Sequence, residues 1–596
     1  MKDSSLTHLE WNLDELIRSD DDQFLSFGEE IEDISLELVE FRKKHSGTGA
    51  EHLIVQSSVA QLLKDAEALL RRAYSLQLAI QIVVTARDGN SDSLLLIGQH
   101  ATEIYFSCLS AVEEPLSRIN SAIIEAENGD LKQYKVFLDN ISDIRPQDTS
   151  ASTATGSSSH PGKTNFSIWC DYGRLRQSMR LTIPAVDTNP LSLTEVLLVL
   201  SRGRKEARAQ TFQAYSSWMA ENRGVFADLY SKLVDFARQE REKLRRQPWR
   251  SYSTRENITP TIHTDFIYNK KCVSLFHRFE RLRLNLPDTG TTPIFNKFAT
   301  QASLNDLFSP QDVTRLIVSA FESLSKDAGD VVKSIFKKGR VFTKPGRSSE
   351  RAVNCVGVPQ IGPFVSVPMP SCSAPLIARL AHEMGHAFQK TLAGSCSYFC
   401  HGIERVLSES IATFFELWTL NFMLESRSCA HFGRGDRLAL LAPLFEDLYE
   451  RTAYALYEQT ASRIEVEELA NADIVSQVWR EAHEPLLTGL YTLPTEFDSW
   501  WANQYMMFRS PLTQSYYPAA TVIGIALYFR AKQDPAEFMD ILKDRLVLGG
   551  TVAYSSWGQP FGIDFDALSA AEIATRFLEH SMQTIEDLEL AKERLR

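Results

Sequence analysis

His382 and His386 stand four residues apart with Glu383 directly after the first, in the stretch Leu380-Ala381-His382-Glu383-Met384-Gly385-His386-Ala387-Phe388. On an α-helix that spacing puts both imidazoles on one face, where two ring nitrogens can reach one ion. Glu383 falls beside them, placed to take a proton from a metal-bound water rather than to bind the metal. A helix is expected here: Ser373 can cap it, Pro375 suits its first turn, and Leu376, Ile377, Leu380, Ala381, Met384 and Phe388 recur at three- and four-residue spacing. Without an ion, the same residues would make a buried helix with two incidental histidines. A catalytic zinc takes a third protein ligand and keeps one position open for water. The stretch from Val406 to Trp418 reads as a second helix, and Glu409 on it is the candidate ligand. Glu404 and Glu416 compete by spacing, and periodicity does not choose among the three.

The two stretches together carry a resemblance. His382-Glu383-Met384-Gly385-His386-Ala387 followed by Glu409-Ser410-Ile411-Ala412-Thr413-Phe414-Phe415-Glu416 resembles the paired helices of the oligoendopeptidase F and thimet oligopeptidase family, zinc metallopeptidases acting on short peptides. The resemblance implies that Glu409 is the third zinc ligand and that Glu416 supports the site. Weaker likenesses extend it along the chain: Trp11-Asn12-Leu13-Asp14-Glu15-Leu16 near the start, Gly203-Arg204-Lys205-Glu206-Ala207-Arg208 at a charged helix start, and Gly562-Ile563-Asp564 near the end. The implied fold is mainly α, a zincin-like (gluzincin) core with a small edge-strand sheet inside a two-lobed helical shell that encloses a deep cleft.

Composition sets the outer bounds. Hydrophobic residues at 44% and charged residues at 23% are ordinary for a globular chain. A formal charge of −13 argues against nucleic acid as a partner, since phosphate binding needs a basic face. Met1 to Asp22 lacks a secretory pattern, and the apolar stretch Ala520 to Phe529 is too short to span a bilayer, so a cytoplasmic protein without a membrane partner is expected. Eight scattered cysteines fit reduced thiols better than a disulfide framework. Cys396, Cys400 and His401 lack the paired spacing of a structural zinc site, so one zinc ion is expected and no second. Nothing in the sequence sets an oligomeric state.

Three regions follow. Residues 1–144 read as a helical lobe, with one apolar stripe at Phe27, Ile31, Ile34, Leu38 and Phe41 and another at Val59, Leu62, Leu63, Ala66, Leu69 and Leu70. Residues 145–163, rich in Ser, Thr, Gly and Pro, read as an exposed flexible loop. Residues 164–596 form the catalytic region, with the zinc helices near 374–390 and 403–420. Helical pattern fills 191–246 and ends in a basic run from Arg238 to Arg250 that suits a helix C-terminus. Between 352 and 369, β-branched residues among Gly and Pro indicate short strands, the best at Phe364 to Val367, expected as an edge strand to which a peptide can add itself.

One segment departs from the family. Tyr516 and Tyr517 keep part of a tyrosine-rich run whose donors stabilise the oxyanion, but Ala519 and Ala520 stand where further tyrosines are usual. No histidine lies between His483 and His580, and Gln389 occupies a position that is histidine in many relatives. Tyr517, then Tyr516, is the expected oxyanion donor, although ordinary packing would also explain the pair. The expected function is a zinc-dependent endopeptidase for short peptides, with His382, His386 and Glu409 as ligands and Glu383 as base. The alternatives are a zincin-fold enzyme repurposed for a specialised biosynthetic amide or acyl substrate, and a non-catalytic peptide-binding relative.

Overall fold

The structure, a computed structural model, describes residues 12–13, 16, 23–45, 56–86, 92–117, 134, 138, 161–246, 266–299, 308–343, 354–368, 374–394, 396–399, 402–425, 432–552 and 554–595. Helices dominate it. The first three, α1 (Gln23–His45), α2 (Gln56–Ala86) and α3 (Asp92–Ser117), pack on one another. Phe27, Ile34, Leu38 and Phe41 of α1 meet Val59, Leu62, Leu63, Ala66, Leu69 and Leu70 of α2 in a core of their own, so both apolar stripes are buried faces. Ile31 packs at that core's margin.

Next come α4 (Pro161–Ser178), the hairpin β1 (Leu181–Ile183) and β2 (Asp187–Leu191), α5 (Leu193–Arg202) and the long α6 (Lys205–Arg246). The helix α4 begins at Pro161, so the last three residues of the expected loop are helical: proline's fixed φ suits a first helical turn. The rest of that loop lies outside the described residues, as do Ser373 and the end of the basic run beyond Arg246. Then follow α7 (Lys270–Leu284), β3 (Thr292–Pro293), α8 (Pro310–Leu324), α9 (Lys326–Lys337), β4 (Val341–Phe342), β5 (Asn354–Val358) and β6 (Gly362–Ser366).

The small sheet has the order β4-β6-β5. β6, the strand expected at an edge, is therefore central. It pairs antiparallel with β5 (Val356 with Phe364) and parallel with β4 (Val341 with Val365). The pairing with β4 comes from a segment some twenty residues upstream, which a local pattern does not show. The edge role passes to β5.

The site helices are α10 (Ala374–Ala393) and α11 (Arg405–Glu425), each longer than its expected span. α10 lies between β5 and β6 on one side and α11 on the other. Leu376, Ile377, Leu380, Ala381, Met384 and Phe388 are all buried, as their spacing requires. α11 is apolar nearly all round because it is covered by α10 and by α15 (Tyr516–Gln533). Between them run α12 (Arg434–Phe445), a π turn (Glu446–Glu450), α13 (Arg451–Ala461), α14 (Ala472–Leu487), β7 (Tyr491–Thr492), which pairs with β3, and a helical turn (Tyr505–Arg509). α16 (Pro535–Val547) and α17 (Ala570–Leu595) follow.

The segment joining α10 to α11 is fastened to the first three helices. Phe399 enters their core, the Cys396 carbonyl accepts from Arg71 Nη2 (2.6 Å), and the Tyr398 amide donates to Glu67 Oε1 (2.6 Å). Near the N-terminus the Asn12 amide donates to the Gly339 carbonyl (2.7 Å). Among the described residues no helix is long and apolar enough to cross a membrane.

Candidate metal and peptide-binding site

His382 and His386 project from one face of α10 towards Glu409 on α11. His382 Nε2 lies 3.3 Å and His386 Nε2 lies 3.6 Å from the same Glu409 oxygen, Oε2. One ligand atom from each of the three residues falls within 4.8 Å of the others, so the group can hold a metal ion. Two donors each about 2.0–2.2 Å from a tetrahedral zinc lie about 3.3 Å apart, so the donor set fits that ion.

This convergence depends on how closely the two helices approach. A Cβ on Gly385 would sit 2.8 Å from Ala412 Cα on α11, closer than real Cβ contacts, so only glycine lets the backbones meet there. Gly524 does the same between α15 and α11, where a Cβ would lie 2.9 Å from the side chain of Thr413.

Both imidazoles are held from behind. His382 Nδ1–H donates to Glu416 Oε2 (3.0 Å). Ser408 Oγ donates its proton to Gln389 Oε1 (2.8 Å) and so accepts from His386 Nδ1–H (3.2 Å). In each ring the Nδ1 side is engaged from behind, which turns Nε2 towards Glu409 Oε2, where its lone pair would be given to an ion held between them. Gln389, unlike a histidine, offers the carbonyl that takes the Ser408 proton.

Charge in the site is concentrated. Burial would raise the Glu409 carboxyl, but hydrogen bonds and charge from His382 and His386 outweigh it and hold it well below the usual carboxylate range. Burial lowers His382, and Glu409 and Glu416 more than reverse that. Glu383 is pushed up by burial, against the pull of both histidines, and its Oε2 has no hydrogen-bond partner.

The three residues open onto a cleft of about 720 Å³. Its other walls are Tyr172 and Arg176 of α4, Asn354 and Cys355 of the edge strand β5, Tyr505 and Arg509 of the short turn, and Tyr517 of α15. Tyr517 Oη accepts from Arg405 Nη2 (3.3 Å), and the Arg451 guanidinium lies 4.9 Å from its ring centre. Tyr516 is buried and does not line the cleft; the Arg405 guanidinium covers its ring at 5.2 Å. Asp447 is pushed up to about 7 by burial, against the pull of Arg379 and Arg451.

The chain pattern did not single out Ser408, Arg405, Arg379, Asp447, Arg451 or Arg176. Ser408 and Arg405 sit within one turn of Glu409 and could have been suspected from that. Arg379 stands one turn before His382 on the same helix and was open to the same suspicion; Asp447, Arg451 and Arg176 come from distant segments and leave no local trace. Glu404 does not join the metal group. Cys396 Sγ donates to the Val547 carbonyl (2.9 Å), while Cys400 and His401 lie outside the described residues.

No family model matches this sequence, and no curated protein matches it. Solved structures do match. A chain from Chlamydophila abortus described as a peptidase aligns over 97% of this chain and 98% of its own, with a TM-score of 0.70 and 15% identity. PZ peptidase A, solved with an inhibitor, aligns over 94% and 98% with a TM-score of 0.69 and 12% identity. Oligoendopeptidase F from Enterococcus faecium aligns over 95% and 99% with a TM-score of 0.64 and 14% identity. At these identities the likeness is one of fold, and it runs end to end: this chain has the fold of oligoendopeptidase F.

Proposed function

We propose that this protein is a zinc-dependent endopeptidase for short peptides, of the oligoendopeptidase F type. The observation that carries the reading is the meeting of His382 Nε2, His386 Nε2 and Glu409 Oε2, with Glu383, whose Oε2 has no hydrogen-bond partner among the described residues, beside them in the same cleft. Bound zinc supplies Lewis acidity to a water and to the scissile carbonyl. Glu383 accepts a proton from the attacking water and delivers it to the leaving amine, and its raised pKa suits both roles. Tyr517 Oη donates to the carbonyl oxygen as it gains charge; Arg405, donating to that oxygen, keeps the hydroxyl proton free for the substrate. β5, the sheet edge beside Glu383, offers backbone groups for an extended peptide. The cleft fits a flexible peptide, and the solved structures that share this fold include PZ peptidase A with an inhibitor.

The alternative of a repurposed amide or acyl chemistry took its motive from Ala519 and Ala520, and both are buried and off the cleft lining. A cytoplasmic setting is part of the proposal, in keeping with the free thiols of Cys108, Cys170, Cys272, Cys355 and Cys396.

The test is Glu383→Gln, loaded with zinc and assayed on a mixed peptide library. Metal content should stay near stoichiometric while turnover falls roughly 100- to 10,000-fold. Full turnover in that variant, or no metal in the parent protein, removes the proposal.

A further inference from the structure

The charge lining the cleft is opposite in sign to that of the whole chain. Arg176, Arg379, Lys390, Arg405, Arg451 and Arg509 face it, against three carboxylates, Glu383, Glu409 and Asp447. The chain as a whole carries −13. Some of the basic groups are balanced: Arg451 lies 3.5 Å from Glu446 and 3.8 Å from Asp447, and Arg379 feels Asp447 and Glu416.

Arg176 is different. Its residue is only 9% exposed, yet no carboxylate among the described residues pairs with it. Its Nη2 donates to Asn503 Oδ1 (2.9 Å), an oxygen that also accepts from Tyr215 Oη (2.7 Å), and its guanidinium lies 5.4 Å from the Tyr172 ring centre. Its Nε is buried without a hydrogen-bond partner among the described residues. Arginine stays charged in any protein environment, and a buried charge without a counter-ion is costly, so folding alone gives no reason to keep one here. The neutral groups around it fix the guanidinium without neutralising it. Arg509, on the same wall, is exposed and adds positive charge near it.

We infer that the cleft selects anionic peptides and that Arg176 receives a carboxylate of the substrate, held in fork geometry as arginine holds carboxylates elsewhere. The inference rests on the peptidase reading of the same cleft and adds the class of peptide. Two sources supply that carboxylate, the free C-terminus of the peptide or an Asp or Glu side chain.

Calorimetric titration separates them. The zinc-loaded Glu383→Gln chain, which binds without turnover, is titrated with one peptide as free acid and as C-terminal amide, and with amidated versions carrying Glu or Gln at an internal position. The carboxylate-bearing form should bind roughly 10- to 100-fold more tightly than its neutral match, as expected for a hydrogen-bonded charge. A gain for the free acid assigns the C-terminus, and a gain for internal Glu over Gln assigns a side chain. Adding Arg176→Gln should abolish that gain, bringing the ratio of acid to neutral affinity close to one. It should also melt no lower than the parent, because it removes an uncompensated buried charge.

Arg509→Gln, at an exposed position where folding is not at risk, should reduce the gain roughly twofold to fivefold. Equal binding of acid and neutral peptides, no binding of either, a gain that survives Arg176→Gln, or a large fall in its melting temperature overturns the inference. The outcome stays separate from the peptidase reading. Cleavage of neutral and acidic peptides alike keeps the enzyme and discards the selectivity; acid-selective binding with no cleavage by the unmutated chain does the reverse.

Discussion

Replacing Gly385 with alanine adds one methyl group at a close contact between α10 and α11, one residue before His386. The new Cβ would lie 2.8 Å from Ala412 Cα and 3.1 and 3.3 Å from two atoms of the Phe415 side chain. Ordinary contact begins near 3.4 Å, so the helices must separate by roughly 0.6 Å. No rotamer change relieves the first clash, because the opposing atom is backbone. Ala412 lies one turn beyond Glu409 on α11, so the displacement carries that carboxylate away from both histidines. Donor positions in a metal site tolerate only about 0.2 Å. Overpacking of this kind costs about 1–3 kcal/mol of stability, and the misplaced carboxylate should lower zinc affinity on the order of 10- to 100-fold, as loss of a supporting partner does. Competition against a chromogenic chelator measures the affinity, and thermal denaturation of the metal-free chain measures the packing cost separately. A Gly385→Ala chain that binds zinc as tightly as the parent and melts at the same temperature refutes the claim that this contact sets the ligand geometry.

Three further outcomes are expected. Tyr517→Phe should lower kcat roughly 100- to 1,000-fold with KM little changed, whereas Tyr516→Phe, behind the cleft wall, should change it less than tenfold; equal losses would make the pair a packing unit. Glu416→Ala frees His382 Nδ1 and should weaken zinc binding roughly 10- to 100-fold in the same chelator competition, while an unchanged affinity would make Glu416 dispensable. His483 is buried, with its pKa pushed down to about 3 by that burial, so the native chain keeps it neutral while the unfolded chain takes up a proton below about pH 6.5. Its contribution is fully present above that pH and is lost at about 1.4 kcal/mol per unit as pH falls towards 3; denaturant midpoints from pH 7 to 4 should therefore fall less steeply in His483→Gln, and parallel curves would refute the assignment.

The sequence revealed most of the site wherever one helix carries the information. Periodicity from Leu376 to Phe388 placed α10 and, with it, the relative position of His382, Glu383 and His386. The choice of Glu409 over Glu404 and Glu416 needed the family likeness, because all three are possible in a one-dimensional pattern and only packing decides which carboxylate faces the imidazoles. The sheet went the other way. Phe364 to Val367 was readable as a strand, but its neighbours were not: β4 lies across an intervening segment, and two residues, Val341 and Phe342, are too few to announce a strand by alternation. The Arg176 wall left no trace for the same reason. Its partners Asn503 and Tyr215 are far along the chain, and a lone arginine on a helix looks solvated until its surroundings are known.

The departures from the family pattern acquire a physical sense once the side chains are placed. The glutamine at 389 is part of the support for His386: its carbonyl takes the Ser408 proton, and that forces the Ser408 oxygen to accept from the imidazole. A serine without such an acceptor could turn its proton towards Nδ1 and leave the other nitrogen protonated, with no lone pair for a metal. Gln389 is buried, so its amide has little water to exchange with and the direction of the relay is kept. The alanines at 519 and 520 lie inside the packing of α15 against α11, where Gly524 also permits close approach. Small residues along that contact hold α15 near α11, and the start of α15 is where Tyr517 meets the cleft.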